Sequence, residues 1–245
     1  MPAISIEPDP GLRDIRNNIL SSLAPADASL LLSAGEMVDI PPKNVVTEAR
    51  HAIRDVFFPE TAVISLVTVV TEGAIEAMTI GNDGFYGVPV FHGLDSTIVR
   101  AVCQIPGRAL RIDVDAFRKV IVDSPAITRA LARYAQFLIE TVSQSAACNR
   151  LHVIEQRCAR WLLLSHDRVG SDEFALTQVF LAQMLGVRRP GVTVAIGILE
   201  KAGYISHTRG RIRIENRVGL ESVSCECYAT IARRQKELFG AAADR

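Results

Sequence analysis

The stretch whose reading decides the fold runs from residue 176 to residue 215, LTQVFLAQMLGVRRPGVTVAIGILEKAGYISHTRGRIRIE. Thr177 is placed to cap a short helix carrying Leu181, Ala182 and Leu185 on one face, and the small Ala182 lets a second helix cross closely. Gly186 supplies the positive φ that a tight interhelical turn needs. After the turn, Val192, Ile196 and Leu199 repeat at helical spacing and face inward, which leaves Arg188, Arg189 and Thr193 at or near the outward start of the second helix. Beyond Gly203, Ile205 to Ile214 alternates around Arg209-Gly210 as a two-stranded hairpin does. A helix-turn-helix followed by a basic wing points to DNA: the first turn of the second helix meets base edges, and Arg209, Arg211 and Arg213 suit phosphates. Thr177 and Gln178, which open the first helix, complete the expected contact set. A bare helix pair also occurs as plain scaffolding. The glycine turn, the arginine-led second helix and the basic wing, in that order, favour the DNA reading.

The formal net charge of zero argues against a nucleic-acid partner until its distribution is considered. Residues 1–149 hold 12 Lys/Arg against 17 Asp/Glu, a surplus of five negative charges, whereas residues 150–217 hold 11 against 6, a surplus of five positive. The basic third is the one with the helix-turn-helix, as an electrostatic footprint on DNA requires. The apolar content, 49%, is that of a globular chain with a proper core. No apolar run is long enough for a membrane span, and Met1 to Leu23 carries Glu7, Asp9, Arg13 and Asp14 rather than a signal-peptide core, so a soluble cytoplasmic protein without membrane contact is expected. The five cysteines, at 103, 148, 158, 225 and 227, include no CxxC pair and no ligand-like histidine spacing. Neither a disulfide frame nor a metal site is expected from them.

Upstream, Gly11 to Ala34 reads as two short helices joined at Ala24-Pro25-Ala26-Asp27, with Leu20, Leu23, Leu30 and Leu31 as anchors. From Glu36 to Ile112 the pattern turns to short β-rich pieces, VVTEA, VISLVTVVTE, AIEAMTI, STIVRAVCQI and RALRI, separated by turns at Pro41-Pro42, Glu72-Gly73, Gly81-Asn82-Asp83-Gly84 and Pro106-Gly107. Such a series predicts a small antiparallel barrel or jelly roll. Val114 to His166 returns to helical periodicity, and after Pro125 the residues Ile127, Leu131, Tyr134, Leu138, Thr141, Ser145 and Cys148 alternate spacings of four and three. This heptad seam is expected to pair two copies, which would space two recognition helices about 34 Å apart. Packing on the chain's own barrel is the alternative. A further amphipathic helix with Val153, Arg157, Trp161 and Leu164 leads into the DNA-binding domain, and Trp161 reads as a core residue.

Short helices, a barrel, a long helix and LTQVFLAQMLGVRRPGVTVAIGILEKAGYI near the end together resemble the Crp/Fnr superfamily of bacterial transcription regulators. The resemblance covers nearly the whole chain and is strongest over residues 155–214. It implies an α+β fold: a cyclic-nucleotide-binding-like β-barrel over 1–113, a dimerisation helix over 114–150 and a winged helix-turn-helix domain with a C-terminal helix over 151–245. The implied function is a homodimeric, non-enzymatic reader of palindromic double-stranded DNA, with RNA polymerase as a further partner. The rival is a sensor that signals through protein contacts, its DNA-binding domain degenerate.

The departures from the family pattern narrow the function. Members that bind cyclic AMP use Gly-Glu-Leu and then Arg-Ser or Arg-Thr, whereas this chain has Gly87-Val88-Pro89 and, in DSTIVRA, Asp95-Ser96. Val88 cannot accept a ribose hydroxyl and Asp95 would repel a phosphate, so cyclic nucleotides are not expected to bind. Oxygen-sensing members carry an N-terminal cysteine cluster, and no cysteine here precedes residue 103. His51, His92 and His152 show no spacing that singles out a haem ligand, and no cofactor is expected. Cys225-Glu226-Cys227, read as helical, would point its thiols apart. Of the family's base-reading Arg-Glu and following Arg, only Arg189 survives, with Pro190, Gly191 and Val194 beside it, so a different target sequence is implied and the effector is left open.

Overall fold

A computed structural model describes residues 15–71 and 73–240. Residues 11–14 of the expected N-terminal helical segment, and Glu72 of the expected Glu72-Gly73 turn, lie outside it. Helix α1 (Asn18–Ser22) starts on the Asn17 side chain, which accepts from the backbone of Ile19 and Leu20, and α2 (Pro25–Ser33) starts on Pro25. The barrel follows as β1 (Gly35–Ile40), β2 (Val45–Thr47), β3 (Asp55–Pro59), β4 (Val63–Val70), β5 (Gly73–Ile80), a short α3 (Val88–Phe91), β6 (Arg100–Ile105) and β7 (Gly107–Asp113). Two antiparallel sheets, ordered β1-β7-β3 and β2-β6-β4-β5, give the jelly-roll arrangement. Strands β1 and β3 had no clear signal: they flank β7 and their residues do not alternate cleanly between apolar and polar.

Helix α4 (Val114–Asp123) and the 27-residue α5 (Pro125–Leu151) close the barrel. Ser124 caps α5, its Oγ accepting from the Ile127 N–H, and Pro125 occupies the first turn where no intrahelical donor is lost. Both sheets and both helices feed one core, in which Phe85 stacks on Phe58 at 5.3 Å and packs on Tyr134 at 5.3 Å.

The α5 residues expected to form a dimer seam pack within the chain itself. Ile127, Leu131 and Tyr134 lie in the barrel core and Leu138 packs against it; Thr141 is buried, Ser145 accepts a hydrogen bond from Arg160, and Cys148 contacts Cys225. Periodicity marked the buried face of the helix, which the chain's own barrel covers over its first half and Arg160 and Cys225 cover near Ser145 and Cys148. The opposite face exposes Ala132, Gln136, Ile139, Ser143 and Ala146, again at spacings of four and three.

A second core belongs to α6 (Ile154–Val169), β8 (Glu173–Ala175), α7 (Gln178–Leu185), α8 (Arg189–Lys201), β9 (Ile205–Thr208), β10 (Arg211–Ile214) and α9 (Arg217–Val223), with Trp161, Leu181, Val192, Ile196, Leu199 and Ile212 at its centre. The last helix, α10 (Cys227–Phe239), bridges the two cores: Tyr228 lies in this second core, while Ile231 and Phe239 join the barrel core and the helix packs along α5. No single helix among the described residues is long and apolar enough to cross a membrane.

Candidate nucleic-acid interface

Helices α7 and α8 meet at 109° across Gly186, whose φ of 62° is the left-handed conformation the turn demanded. The Thr177 hydroxyl caps α7 by accepting from the Phe180 N–H at 3.2 Å, so it sets the helix start rather than standing free. Gln178 is tied to the second helix: Thr193 Oγ1 donates to its Oε1 at 2.8 Å. Arg188 is the cap position of α8 and Arg189 its first residue, both exposed, with Pro190 in the first turn. The same face carries Thr193, Val194 at 59% exposure and Ile198 at 48%. An arginine pair at the tip of α8 followed by exposed aliphatic side chains offers guanidinium donors for guanine and apolar contact for a thymine methyl.

The wing has three strands, ordered β8-β10-β9, where two were expected. Arg209 (φ 50°) and Gly210 (φ 78°) form its tip, a two-residue turn with both central residues at positive φ. The added strand changes the electrostatics. Glu173 on β8 faces β10 and holds both Arg211 and Arg213, the latter at 2.8 Å. These two guanidiniums keep the Glu173 carboxyl below its ordinary range, first through Arg211 and then through Arg213. Among the described residues Arg188, Arg189 and Arg209 carry no ion pair, so the freely available positive charge sits at the helix start and the wing tip.

The DNA-binding domain is docked on the barrel through buried polar contacts. Arg168 of α6 grips Asp83 with Nε at 3.0 Å and Nη2 at 2.7 Å and also bonds Thr79; both members of the pair are buried. Trp161 is a core residue, as expected, and its Nε1 also donates to Glu76 Oε1 of β5 at 3.1 Å. Burial pushes the Glu76 carboxyl up to about 7, partly offset by hydrogen bonds from Ser65 and Trp161. The Gly81 to Gly84 turn, which the sequence marks only as a break between strands, thus carries the anchor for α6: a Cβ on Gly81 would meet the Arg168 side chain at 2.6 Å.

In the barrel, Val88 and Pro89 begin α3 and Gly87 precedes them at φ 140°. Asp95 pairs with Arg118 at 2.5 Å instead of standing as a lone charge. His51 and His92 are exposed. His152, by contrast, meets Cys148, Cys225 and Cys227, the donor atoms all lying within 4.8 Å of one another. This overturns the expectation that the thiols of Cys225 and Cys227 diverge. Cys225 precedes α10 and Cys227 is its first residue, so the pair straddles a helix start and both thiols turn towards α5.

A helix-turn-helix with a free arginine pair, backed by a basic wing and docked on a jelly-roll barrel, is the architecture of a DNA-binding module joined to a second, β-rich domain. Residues 156–223 match the Crp-like helix-turn-helix domain model. The fold is similar to that of FixK2 from Bradyrhizobium japonicum, at 14% identity and a TM-score of 0.66 over 78% of this chain and 98% of that one. A Crp-family transcriptional regulator from Thermus thermophilus is similar at 15% identity and 0.64, over 76% and 96% of the chains. A second regulator from that organism, of the Crp/Fnr family, is similar at 21% and 0.59, over 77% and 98%. No curated protein matches the sequence. Over residues 156–223 the chain carries a Crp-like helix-turn-helix domain, and its fold from barrel to wing is similar to that of solved Crp/Fnr regulators.

Proposed function

We propose that the chain acts as a homodimer that reads a two-fold symmetric DNA site, with Arg188, Arg189 and Thr193 meeting base edges and Arg209 leading the wing onto the phosphate backbone. The observation that carries this reading is the pair of exposed, unpaired arginines at the start of α8. Gln178 is read as orienting Thr193. Thr177 contributes its cap, and Arg211 and Arg213 act on phosphate only in competition with Glu173. The dimer surface proposed is the exposed stripe Ala132, Gln136, Ile139, Ser143 and Ala146 of α5, since the other stripe is spent inside the chain. We assign residues 1–113 to the sensor, 114–150 to the coupling helices and 151–223 to the reader, with α10 a strap returning to α5.

The mechanism is a population shift: a barrel state that changes the docking of α6 on β5 moves α8 into or out of register with successive major grooves. Selection of duplexes from a random library by the purified chain, followed by titration at several salt concentrations, tests the reading. A two-fold symmetric consensus with a negative salt slope is expected. Binding that shows neither sequence preference nor salt dependence would leave α8 as a protein-contact surface, for which its exposed Val194 and Ile198 are also suited.

A further inference from the structure

We infer that Cys148, His152, Cys225 and Cys227 form a zinc site that ties the end of α5 to the start of α10. Cys148 lies in the last turn of α5 and His152 is its C-terminal cap, so the two project from one helix end four residues apart. Cys225 and Cys227 come from the other side, at the start of α10. The three cysteines are almost fully buried and form a cluster separate from both hydrophobic cores.

The spacing suits a single tetrahedral ion. Zinc–sulfur bonds of about 2.3 Å and zinc–nitrogen bonds of about 2.0 Å put sulfur–sulfur edges at about 3.8 Å and sulfur–nitrogen edges at about 3.5 Å. Here Cys148 Sγ lies 3.5 Å from Cys225 Sγ, and Cys227 Sγ lies 3.6 Å from His152 Nδ1. Such proximity leaves no room for a cluster of several irons, whose terminal thiolates diverge from separate metal atoms. Three thiolates and an imidazole select zinc among common divalent ions, and the closed, four-ligand set is that of a structural site.

The surroundings are those of a metal centre. His152 turns Nδ1 to the thiols and Nε2 to Glu226 Oε1 at 3.3 Å, the carboxylate–histidine arrangement that fixes a ligand's tautomer. Gln144 Nε2 donates to Cys227 Sγ at 3.1 Å. A zinc ion with three thiolates and a neutral imidazole carries one net negative charge, and Arg157 and Arg160 lie close enough to Cys148 to balance it. On binding, each thiol releases its proton to solvent and no electron moves. The site stands where α5 breaks at His152 and α6 begins, so an ion there braces the barrel's long helix and the α10 strap at the junction with the DNA-binding domain.

The test uses the full chain, kept reduced, stripped with a chelator and titrated with zinc and, separately, with cobalt(II). One equivalent of zinc per chain is expected, and the cobalt form should show thiolate-to-metal charge transfer with the strong visible bands of a tetrahedral site. Cys148→Ser and Cys227→Ser should each weaken zinc affinity at least about 100-fold, and Glu226→Gln about 10-fold. His152→Cys, which keeps four ligands, should retain stoichiometric binding, and Cys103→Ser should match the unmutated chain. Circular dichroism checks that each variant is folded. Should a serine variant fail that check, the cobalt spectrum of the unmutated chain and the His152→Cys titration decide. No zinc uptake by the reduced chain, a cobalt spectrum without thiolate charge transfer, or undiminished affinity in both folded serine variants would overturn the inference. A Cys148–Cys225 disulfide with no metal uptake after reduction would replace it with a redox pair. None of these measurements depends on DNA.

Discussion

Glu76→Gln gives the sharpest handle on how the two domains are held together. Glu76 is buried beneath Trp161, accepting from its Nε1, and Ser65 Oγ lies 2.6 Å from the other carboxylate oxygen. Burial raises its pKa from 4.5 to about 7, so the fold favours the protonated acid. The associated stability is fully present below pH 4.5 and is lost as the pH rises through about 7. At about 1.4 kcal/mol per pH unit, that shift costs the ionised protein about 3 kcal/mol. Glutamine can still accept from Trp161 and can donate to Ser65, but its second amide hydrogen needs a partner, a loss of about 1 kcal/mol if it finds none. The variant should therefore be more stable than the unmutated chain by about 2 kcal/mol at pH 8, the gap closing near pH 5. Trp161 is the only tryptophan, so urea unfolding followed by its fluorescence reads this contact directly. A variant less stable at pH 8, or a gap that does not change with pH, would refute the claim that a buried, reluctantly ionised carboxylate sits at the junction.

The remaining expectations concern the reader, the anchor and the dimer. Arg189→Ala should cost about 1–3 kcal/mol per half-site and blur the preference at one base pair, measured on duplexes recovered by selection. Glu173→Gln should release Arg211 and Arg213, tightening binding to all sequences and steepening the log–log salt slope by about 1 for each further phosphate neutralised. An unchanged slope would mean that the wing does not reach the backbone. Asp83→Ala strands the buried Arg168 guanidinium and should destabilise the chain by about 3–5 kcal/mol in urea unfolding; a loss below about 1 kcal/mol would show that the pair does not anchor α6. Ile139→Glu should yield folded monomers by light scattering, while Leu138→Glu, aimed at the barrel core, should lower the melting temperature. The reverse pattern would restore the buried stripe as the dimer seam.

The reader was legible in the sequence because its determinants are local. Thr177 as a cap, Gly186 at positive φ, the period of Val192, Ile196 and Leu199, and the Arg209-Gly210 turn each act over a few residues, so the one-dimensional pattern carries the three-dimensional outcome. The barrel was legible as a class, from short alternating runs and their turns, though β1, β3 and β8 had to be found in the pairing. The face of α5 that is buried was also plain from Ile127, Leu131 and Tyr134. What buries it was not, because a hydrophobic stripe records loss of water and not the identity of the covering surface. Only the tertiary structure could bring Glu173 across to the wing arginines, Glu76 under Trp161, Asp83 to Arg168 and Cys225 to Cys148. These partners lie about 40 to 85 residues apart, and no periodicity or spacing rule links residues that meet only because two sheets, a long helix and a returning strap have already packed.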